Sequence, residues 1–311
     1  MNTENFTFLS ADKKTNIHAV KWTPDSGEYR AILQITHGMI EFIERYASFA
    51  EFLTTQGYMV VGHDHLGHGQ SVATQDDWGY VGSPNPSDLL VEDMHKLRTM
   101  IQKENPKVPY FMLAHSMGSY MLRKYLTIHN ENLKGAIIMG TGMVPDMTTR
   151  FGMFTVKFLS IFRGWHYRSK FVADAAFGKP YRRYDLSGKT LSNSWLTKDE
   201  DIVKSYYSDP RCTFVFTING YQALFEAVLY DGQPENAAKI PKTLPLFIVS
   251  GEDDPVGDLG VGVKKVYELY KNAGIEDITY KLYEKDRHEI LNELDKKTVY
   301  ADILSWMNIR I

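Results

Sequence analysis

Ser116 lies in a pentapeptide whose residue types and spacing suit nucleophilic catalysis. Residues 114–118 read Ala-His-Ser-Met-Gly, close to the pattern Gly-x-Ser-x-Gly, which places a serine on a tight turn between a strand and a helix. Small residues on either side let the two backbones approach, and Ala114 keeps nearly all of that room. The pattern predicts an exposed hydroxyl at a helix N-terminus, near backbone N–H groups. The alternative is an ordinary serine N-cap, which the apolar run before the motif disfavours.

A serine hydroxyl is a weak nucleophile, so it needs a base and a carboxylate that orients the base. On such a turn the partners follow the serine in the order acid, then histidine. Of ten histidines, only His129, His166 and His288 come later. His129 ends the helix that Ser116 begins, roughly 18 Å away at a rise of ~1.5 Å per residue, and His166 lies in an irregular region. His288 follows the last strand at its carboxyl end, where ligands gather in open α/β sheets, and is the predicted base.

The orienting acid should lie on the loop after the preceding strand. That loop, Gly-Glu-Asp-Asp-Pro-Val-Gly-Asp, carries four carboxylates: Glu252, Asp253, Asp254 and Asp258. We predict Asp254, because the Pro-Val pair after it would hold the loop against the core. Asp253 is the main rival, and a merely solvated acidic loop is the alternative to both.

Acyl transfer also needs donors for the oxyanion of the tetrahedral intermediate. One should be the backbone N–H of Met117, the residue after the serine. The second should come from the loop after strand 31–36, where His37-Gly38 brings the backbone close and the N–H of Met39 is the predicted donor. We interpret His37 itself as structural.

Apolar strands alternate with amphipathic helices on both sides of these loops. The strands are expected at residues 6–10, 17–23, 31–36, 58–63, 110–114, 134–139, 246–250 and 278–283. Uninterrupted apolar strands separated by helices indicate a mainly parallel sheet covered on both faces. The alternation stops near Val144 for about 95 residues. We therefore predict an α/β core of residues 1–143 and 239–311, with a helical cap of residues 144–238; an independent second domain is the alternative.

The composition excludes several classes of function and of site. The 311 residues are 43% hydrophobic with a formal net charge of −3 and scattered basic residues, so no nucleic-acid surface is expected. The single cysteine, Cys212, excludes an internal disulfide and a multi-thiolate zinc site. The N-terminus carries no secretory pattern, and the most apolar run, 151–162, is too short to span a bilayer. We expect a cytoplasmic protein.

Five segments in this order resemble the α/β-hydrolase superfamily, in its monoacylglycerol lipase and lysophospholipase-like branch with a serine aminopeptidase-type domain. They read HGMIEFIERY, HDHLGHGQS, AHSMGS, GEDDPVGD and RHEILNE, and they span residues 37–293. The resemblance implies an eight-stranded sheet, a helical cap, a Ser-Asp-His triad and no cofactor, and it independently selects Asp254. It also implies that Glu41, Arg45 and Tyr46 support the oxyanion loop. Their alternative is an i,i+4 ion pair on a first helical turn.

Three other functions compete with this interpretation. His63, His65 and His68 suggest a metallohydrolase motif, but Gly67 stands where that motif needs aspartate, and we expect no metal. A non-catalytic ligand-binding homologue would be expected to lack part of the triad. A peptidase or a thioesterase on the same fold stays open, because fold alone does not choose among them.

Aromatic residues crowd the predicted cap and favour a small-molecule ester with an apolar acyl chain. We predict that Phe151, Phe154 and Phe158 line an acyl pocket above Ser116, within a wall formed by residues 151–171. The same apolar surface predicts transient contact of the cap with a membrane surface. No pattern specifies acyl length, head group or oligomeric state.

Overall fold

A computed structural model describes all 311 residues, and its framework is one eight-stranded sheet in the order β1-β2-β4-β3-β5-β6-β7-β8. The strands are β1 Asn2–Leu9, β2 Asn16–Thr23, β3 Ala31–Thr36, β4 Tyr58–His63, β5 Tyr110–His115, β6 Leu133–Met139, β7 Leu246–Gly251 and β8 Ile278–Tyr283. β1 and β2 pair antiparallel, and β2 pairs antiparallel with β4, whereas all the later pairings are parallel. The predicted fold class is confirmed.

The central strands are buried on both faces, as their uninterrupted apolar sequences predicted. Every residue of β3, β4, β5 and β7 is buried. Such strands require helices on both sides of the sheet. α1 (Ala47–Thr55) and α10 (Lys296–Asn308) pack on one face, and α2 (Pro86–Glu104), α3 (Met117–Leu126) and α9 (Val261–Asn272) pack on the other.

Helix α2 shows how the sequence sets these faces. Its apolar side chains recur at helical spacing and are fully or almost fully buried: Leu90, Met94, Leu97 and Ile101. The helix begins at Pro86, because proline suits the first helical position. The hydroxyl of Ser87, the next residue, donates to the carboxylate of Glu226, 2.9 Å away.

Residues 144–238, here called the cap, lie between β6 and β7 and contribute helices but no sheet strand. They contain α4 (Asp146–Arg163), α5 (Lys170–Ala176), α6 (Glu200–Ser208), α7 (Ile218–Asp231) and α8 (Pro234–Ala237). α7 is tied to the core, since the side chain of Asn219 bonds to the backbone of Val81 and Gly82. Across the whole chain, no helix combines the length and the apolar character needed to cross a membrane.

Candidate active site

Ser116 occupies the turn between β5 and α3 in a backbone conformation that few side chains adopt. Its φ is 52° and its ψ is −122°. Close approach forces this turn: a Cβ added to Gly118 would lie 2.4 Å from the carbonyl oxygen of His37 and 2.7 Å from that of Thr36. A Cβ on Gly38 would lie 2.8 Å from Cβ of Ser116. Strain of this kind is typical of functional sites, and it holds the Ser116 side chain out of the helix.

His288 and Asp254 form a buried pair. Nδ1 of His288 lies 3.0 Å from Oδ1 of Asp254. The hydroxyl of Ser250 donates to Oδ2 of Asp254 at 2.7 Å, and the N–H of Val256 donates to Oδ1 at 2.8 Å. Burial alone would raise the Asp254 pKa, but the adjacent His288 and these hydrogen bonds bring it below its usual value. Asp254 is therefore an anion against the imidazole.

The structure separates the three predicted site residues from their rivals. Ser116 and His288 line one cavity, although no hydrogen bond joins the serine hydroxyl to the imidazole. In ligand-free sites such bonds are often long and tighten only with substrate bound. Asp253 points instead toward Arg183, 3.8 Å away. His129 pairs with Glu92, and His166 stacks on Tyr80, so neither belongs to this site.

Two backbone N–H groups at the serine are free to bind an anion. Met39 and Met117 line the cavity beside Ser116, and neither N–H donates a hydrogen bond within the protein. His37 has the structural role predicted for it, because Nδ1 bonds to the carbonyl of Gly38 and Nε2 accepts from the N–H of His65. These bonds fix the loop on which the Met39 donor lies.

A cavity of about 500 Å³ covers Ser116 and runs under the cap. Twenty of its 34 lining residues are hydrophobic. The apolar members include Met143, Val144, Val172, Leu224, Phe225 and Val228. The cavity therefore has room and surface for an apolar chain next to the serine.

The prediction for the cavity wall is wrong at two of its three residues. Phe151 lines the rim of the cavity, but Phe154 and Phe158 do not, and they are 66% and 51% exposed. α4 instead turns Thr148, Gly152 and Thr155 inward, at the i, i+4, i+7 spacing of one helix face. Crowding along the chain did not reveal which helix face carried the phenylalanines.

Comparisons with known proteins identify the family of the chain. The family model described as serine aminopeptidase, S33, matches residues 27–295. The chain belongs to this family. Rat monoglyceride lipase is 26% identical over 295 residues, 93% of this chain and 86% of that protein. The monoacylglycerol lipase of Mycolicibacterium smegmatis is 26% identical over 92% of this chain and 90% of its own.

A solved structure extends the likeness to the whole chain. The thermostable carboxyl esterase from Bacillus coagulans, in complex with glycerol, superposes with a TM-score of 0.90 at 30% identity, covering 100% of this chain and 99% of that one. The predicted membership of the α/β-hydrolase superfamily is confirmed, and so is the predicted class, a serine carboxylic ester hydrolase.

A buried charge network around Glu41 holds the loop that follows β3. Oε1 of Glu41 accepts from the N–H of Gly38, from the hydroxyl of Tyr46 at 3.1 Å and from Nδ1 of His115 at 3.0 Å. Arg45 donates to Oε2 of Glu41 at 2.9 Å. Both interpretations of the Glu41–Arg45 pair therefore describe one contact: it is an i,i+4 ion pair, and it holds the loop.

The same network reaches Glu289, the residue after His288. Arg45 donates two bonds of 2.7 Å to the carboxylate of Glu289. Burial would lower the pKa of His115, but Glu41 raises it above its usual value, while His115 and Arg45 keep the pKa of Glu41 well below its own. His115 and Glu289 were not predicted as members of this network, because nothing in the neighbouring sequence marks either residue as a partner of Glu41 or Arg45.

Four histidines form a second buried cluster beneath the oxyanion loop. The rings of His37, His63, His65 and His68 pack at centroid distances of 4.5 to 6.1 Å. Both ring nitrogens of His63 lack hydrogen-bond partners, and burial lowers the pKa of His63 and of His68 to about 3. Such rings are neutral packing elements at ordinary pH.

The side chains close enough together to hold a metal ion are not these four histidines. Donor atoms of His18, Glu44 and Asp64 lie within 4.8 Å of one another. Asp64 is already occupied, since its oxygens accept from the N–H groups of Ile43 and Gln70, both at 2.8 Å. The arrangement is that of a structural carboxylate that fixes two loops.

Proposed function

We propose that the enzyme hydrolyses carboxylic esters of apolar acyl chains through an acyl-enzyme on Ser116. His288 is the general base, Asp254 orients it, and the N–H groups of Met39 and Met117 form the oxyanion hole. The observation that carries the proposal is the His288–Asp254 pair, whose imidazole lines the same cavity as a serine on a strained turn.

Each residue then has one task. Ser116 attacks the ester carbonyl carbon while its proton passes to Nε2 of His288. The carbonyl oxygen becomes an oxyanion, which the two N–H groups bind. When the intermediate collapses, His288 returns the proton to the leaving alcohol and the acyl group stays on Ser116. Water then attacks the acyl-enzyme by the same route, which releases the acid and restores the serine.

The cavity supports an apolar acyl chain, and the relatives suggest the alcohol. Each buried CH₂ group should contribute about 0.8 kcal/mol of binding. Because two relatives are named monoglyceride and monoacylglycerol lipase, we propose a monoacylglycerol or a similar single-chain lipid as the substrate class.

Ester cleavage is favoured over aminopeptidase activity by the charges at the site. An aminopeptidase needs a free carboxylate for the substrate ammonium group. Two cavity carboxylates, Glu41 and Glu289, are already bound by Arg45. A third, Asp258, lies at the exposed edge of the cavity. The buried part of the site therefore offers an ammonium group no unpaired acid.

We further propose that the outer face of α4 contacts the lipid surface on which such substrates are presented. Its exposed apolar side chains are Met147, Phe151, Phe154, Phe158, Ile161 and Phe162, each at least 51% exposed. Residues 150–189 carry nine Lys or Arg against two Asp. Apolar and basic side chains together are the features that bind an amphipathic helix to anionic lipid.

One labelling experiment and one substrate panel test the proposed reaction. A fluorophosphonate probe should modify Ser116, located by mass spectrometry, and kcat/KM for p-nitrophenyl esters should rise severalfold from two to four acyl carbons. A label on another serine overturns the nucleophile. Highest activity on acetate that falls at once with chain length, or greater activity on aminoacyl nitroanilides, overturns the substrate class.

A matched pair of variants tests the lipid surface. Phe154 lies on the outer face of α4, whereas Phe225 lies in the cavity wall. The two variants are Phe154→Ser and Phe225→Ser. Phe154→Ser should lower the fraction of protein that sediments with anionic phosphatidylglycerol vesicles, and it should leave hydrolysis of soluble p-nitrophenyl acetate unchanged. Equal vesicle binding by Phe154→Ser and wild type contradicts the contact.

A further inference from the structure

The imidazole of His288 is stacked against an indole that belongs to the cap. The ring centroids of Trp195 and His288 lie 5.0 Å apart, and the two planes are inclined by 27°. His115 touches the same imidazole, with a centroid distance of 4.5 Å and a tilt of 40°. Trp195 also lines the cavity, so it is the cap residue that bounds the imidazole there.

Backbone hydrogen bonds fasten Trp195 to the loop that carries His288. The N–H of His288 donates to the carbonyl of Trp195 at 3.4 Å, and the N–H of Glu289 donates to that of Leu196 at 2.7 Å. The guanidinium of Arg287 donates to the carbonyl of Ser194 at 2.6 Å. These bonds fix the backbone that carries the indole beside the loop of His288.

The rest of this cap segment is held as firmly. Lys198 donates to the buried carboxylate of Asp286 at 2.7 Å, and the hydroxyl of Thr197 donates to the carbonyl of Asn292 at 3.0 Å. We call residues 194–198 the base clamp. The clamp is bonded to both ends of the 286–292 loop, so the backbone of Trp195 cannot move away from this loop without breaking several hydrogen bonds.

We propose that Trp195 is a positioning residue for the reaction: its face holds the His288 ring toward Ser116 and stabilises the imidazolium that forms as the serine proton is taken. The inference rests on the proposed role of His288 as base. An aromatic face attracts a cation placed over it, so the contact is stronger for the protonated ring than for the neutral one. An interaction that grows as charge develops accelerates the reaction rather than only binding substrate.

Other charged groups around the imidazole do not change when Trp195 is replaced. Asp254 faces Nδ1, and His115 packs on the ring while bonded to Glu41. Glu289 follows His288 and is paired with Arg45. A change in the pH profile of a Trp195 variant therefore reports the loss of the aromatic face.

The test compares two substitutions with a control at another cap tryptophan. Trp195→Leu removes the aromatic face, Trp195→Phe keeps one, and Trp165→Leu removes a partly buried cap tryptophan outside the cavity. For p-nitrophenyl acetate, whose acyl group is too short to use the apolar cavity, Trp195→Leu should lower kcat about tenfold and change KM less than about twofold. The acid limb of its kcat/KM profile should move to lower pH. Trp195→Phe should recover most of kcat, and Trp165→Leu should match wild type.

The outcomes separate this inference from the proposed function. Suppose that fluorophosphonate labels Ser116 of the wild type but Trp195→Leu has the kinetics and pH profile of the wild type. This result overturns the role of Trp195 and leaves the proposed reaction intact. Absence of the label from Ser116 in the wild type overturns the reaction itself. If Trp195→Leu unfolds at the assay temperature, Trp195→Met carries the same comparison. A loss in Trp195→Phe equal to that in Trp195→Leu also overturns the role of the aromatic face.

Discussion

Replacing Asp254 with asparagine removes one negative charge from the pair with His288, and the neighbouring hydrogen bonds decide what is left. Oδ1 of Asp254 faces both His288 and the N–H of Val256, whereas Oδ2 faces the hydroxyl of Ser250. A backbone N–H can only donate, but a hydroxyl donates or accepts. The amide oxygen of the asparagine should therefore stay with Val256 and its NH₂ should face Ser250. His288 then keeps an acceptor at Nδ1 and its productive tautomer.

The expected decrease in kcat therefore comes from the missing charge and not from a wrong tautomer of His288. Two unit charges about 4 Å apart interact by about 4 kcal/mol at an effective dielectric constant of about 20. The neutral hydrogen bond that remains is worth about 1 kcal/mol. The difference, about 3 kcal/mol, corresponds to a decrease in kcat of about 10²-fold. An inverted tautomer would cost about 10⁴-fold.

The assay is kcat for a short p-nitrophenyl ester, with Asp253→Asn as the matched control. Asp253 is the neighbouring carboxylate, partly exposed, and its contact with Arg183 at 3.8 Å is a surface pair. Because such pairs contribute little, Asp253→Asn should stay within about twofold of wild type. A loss of about 10⁴-fold in Asp254→Asn would refute the argument from Val256. A larger loss in Asp253→Asn than in Asp254→Asn would show that the acid is one residue earlier.

Three further predictions concern the serine, its loop and the histidine cluster. Ser116→Ala should lower ester hydrolysis by up to ~10⁶-fold and abolish the fluorophosphonate adduct in an intact-mass measurement; a retained adduct contradicts it. Gly38→Ala should lower kcat about 10²-fold, because the new Cβ would lie 2.6 Å from Oε1 of Glu41 and displace the oxyanion loop; an unchanged kcat shows that the loop yields freely. His63 has a pKa lowered by burial to about 3, so its contribution to stability is complete above pH ~6.5 and decreases by about 2 kcal/mol by pH 5. His63→Phe should therefore reduce the fall in Tm between pH 7.5 and pH 5, and an undiminished fall would assign the acid sensitivity elsewhere.

Structural features that depend on a short stretch of sequence could be predicted. The central strands could be located because each is a continuous apolar run ended by a turn, and β3, β4, β5 and β7 lie within one residue of the expected bounds. β1 is a polar, largely exposed edge strand, and it begins at Asn2 instead of at the expected residue 6. Parallel strands bring their following loops to one sheet edge, which is why Asp254 and His288 could be paired across 34 residues. The turn at Ser116 could be identified because steric demand restricts the residues beside it.

Features that depend on distant contacts were not predictable in this way. Glu289 finds Arg45 across 244 residues, and nothing beside Glu289 in the sequence distinguishes it from a solvated glutamate. The orientation of α4 is similar, because its aromatic face could turn toward the cavity or away from it. What decides is packing: Gly152 lies so close to α7 that a Cβ there would be 2.9 Å from the ring of Phe225. That contact directs Thr148 and Thr155 inward and Phe154 outward.

The two proposals give the cap two separable effects on the reaction. The outer face of α4 has no bond to the triad, so substitutions there should affect activity only on substrates that are presented on a lipid surface. The base clamp, in contrast, bonds directly to the loop of His288, and a change at Trp195 should slow every ester, however short. A Phe154 variant should thus lose activity on vesicles alone, whereas a Trp195 variant should lose activity on vesicles and on soluble acetate alike.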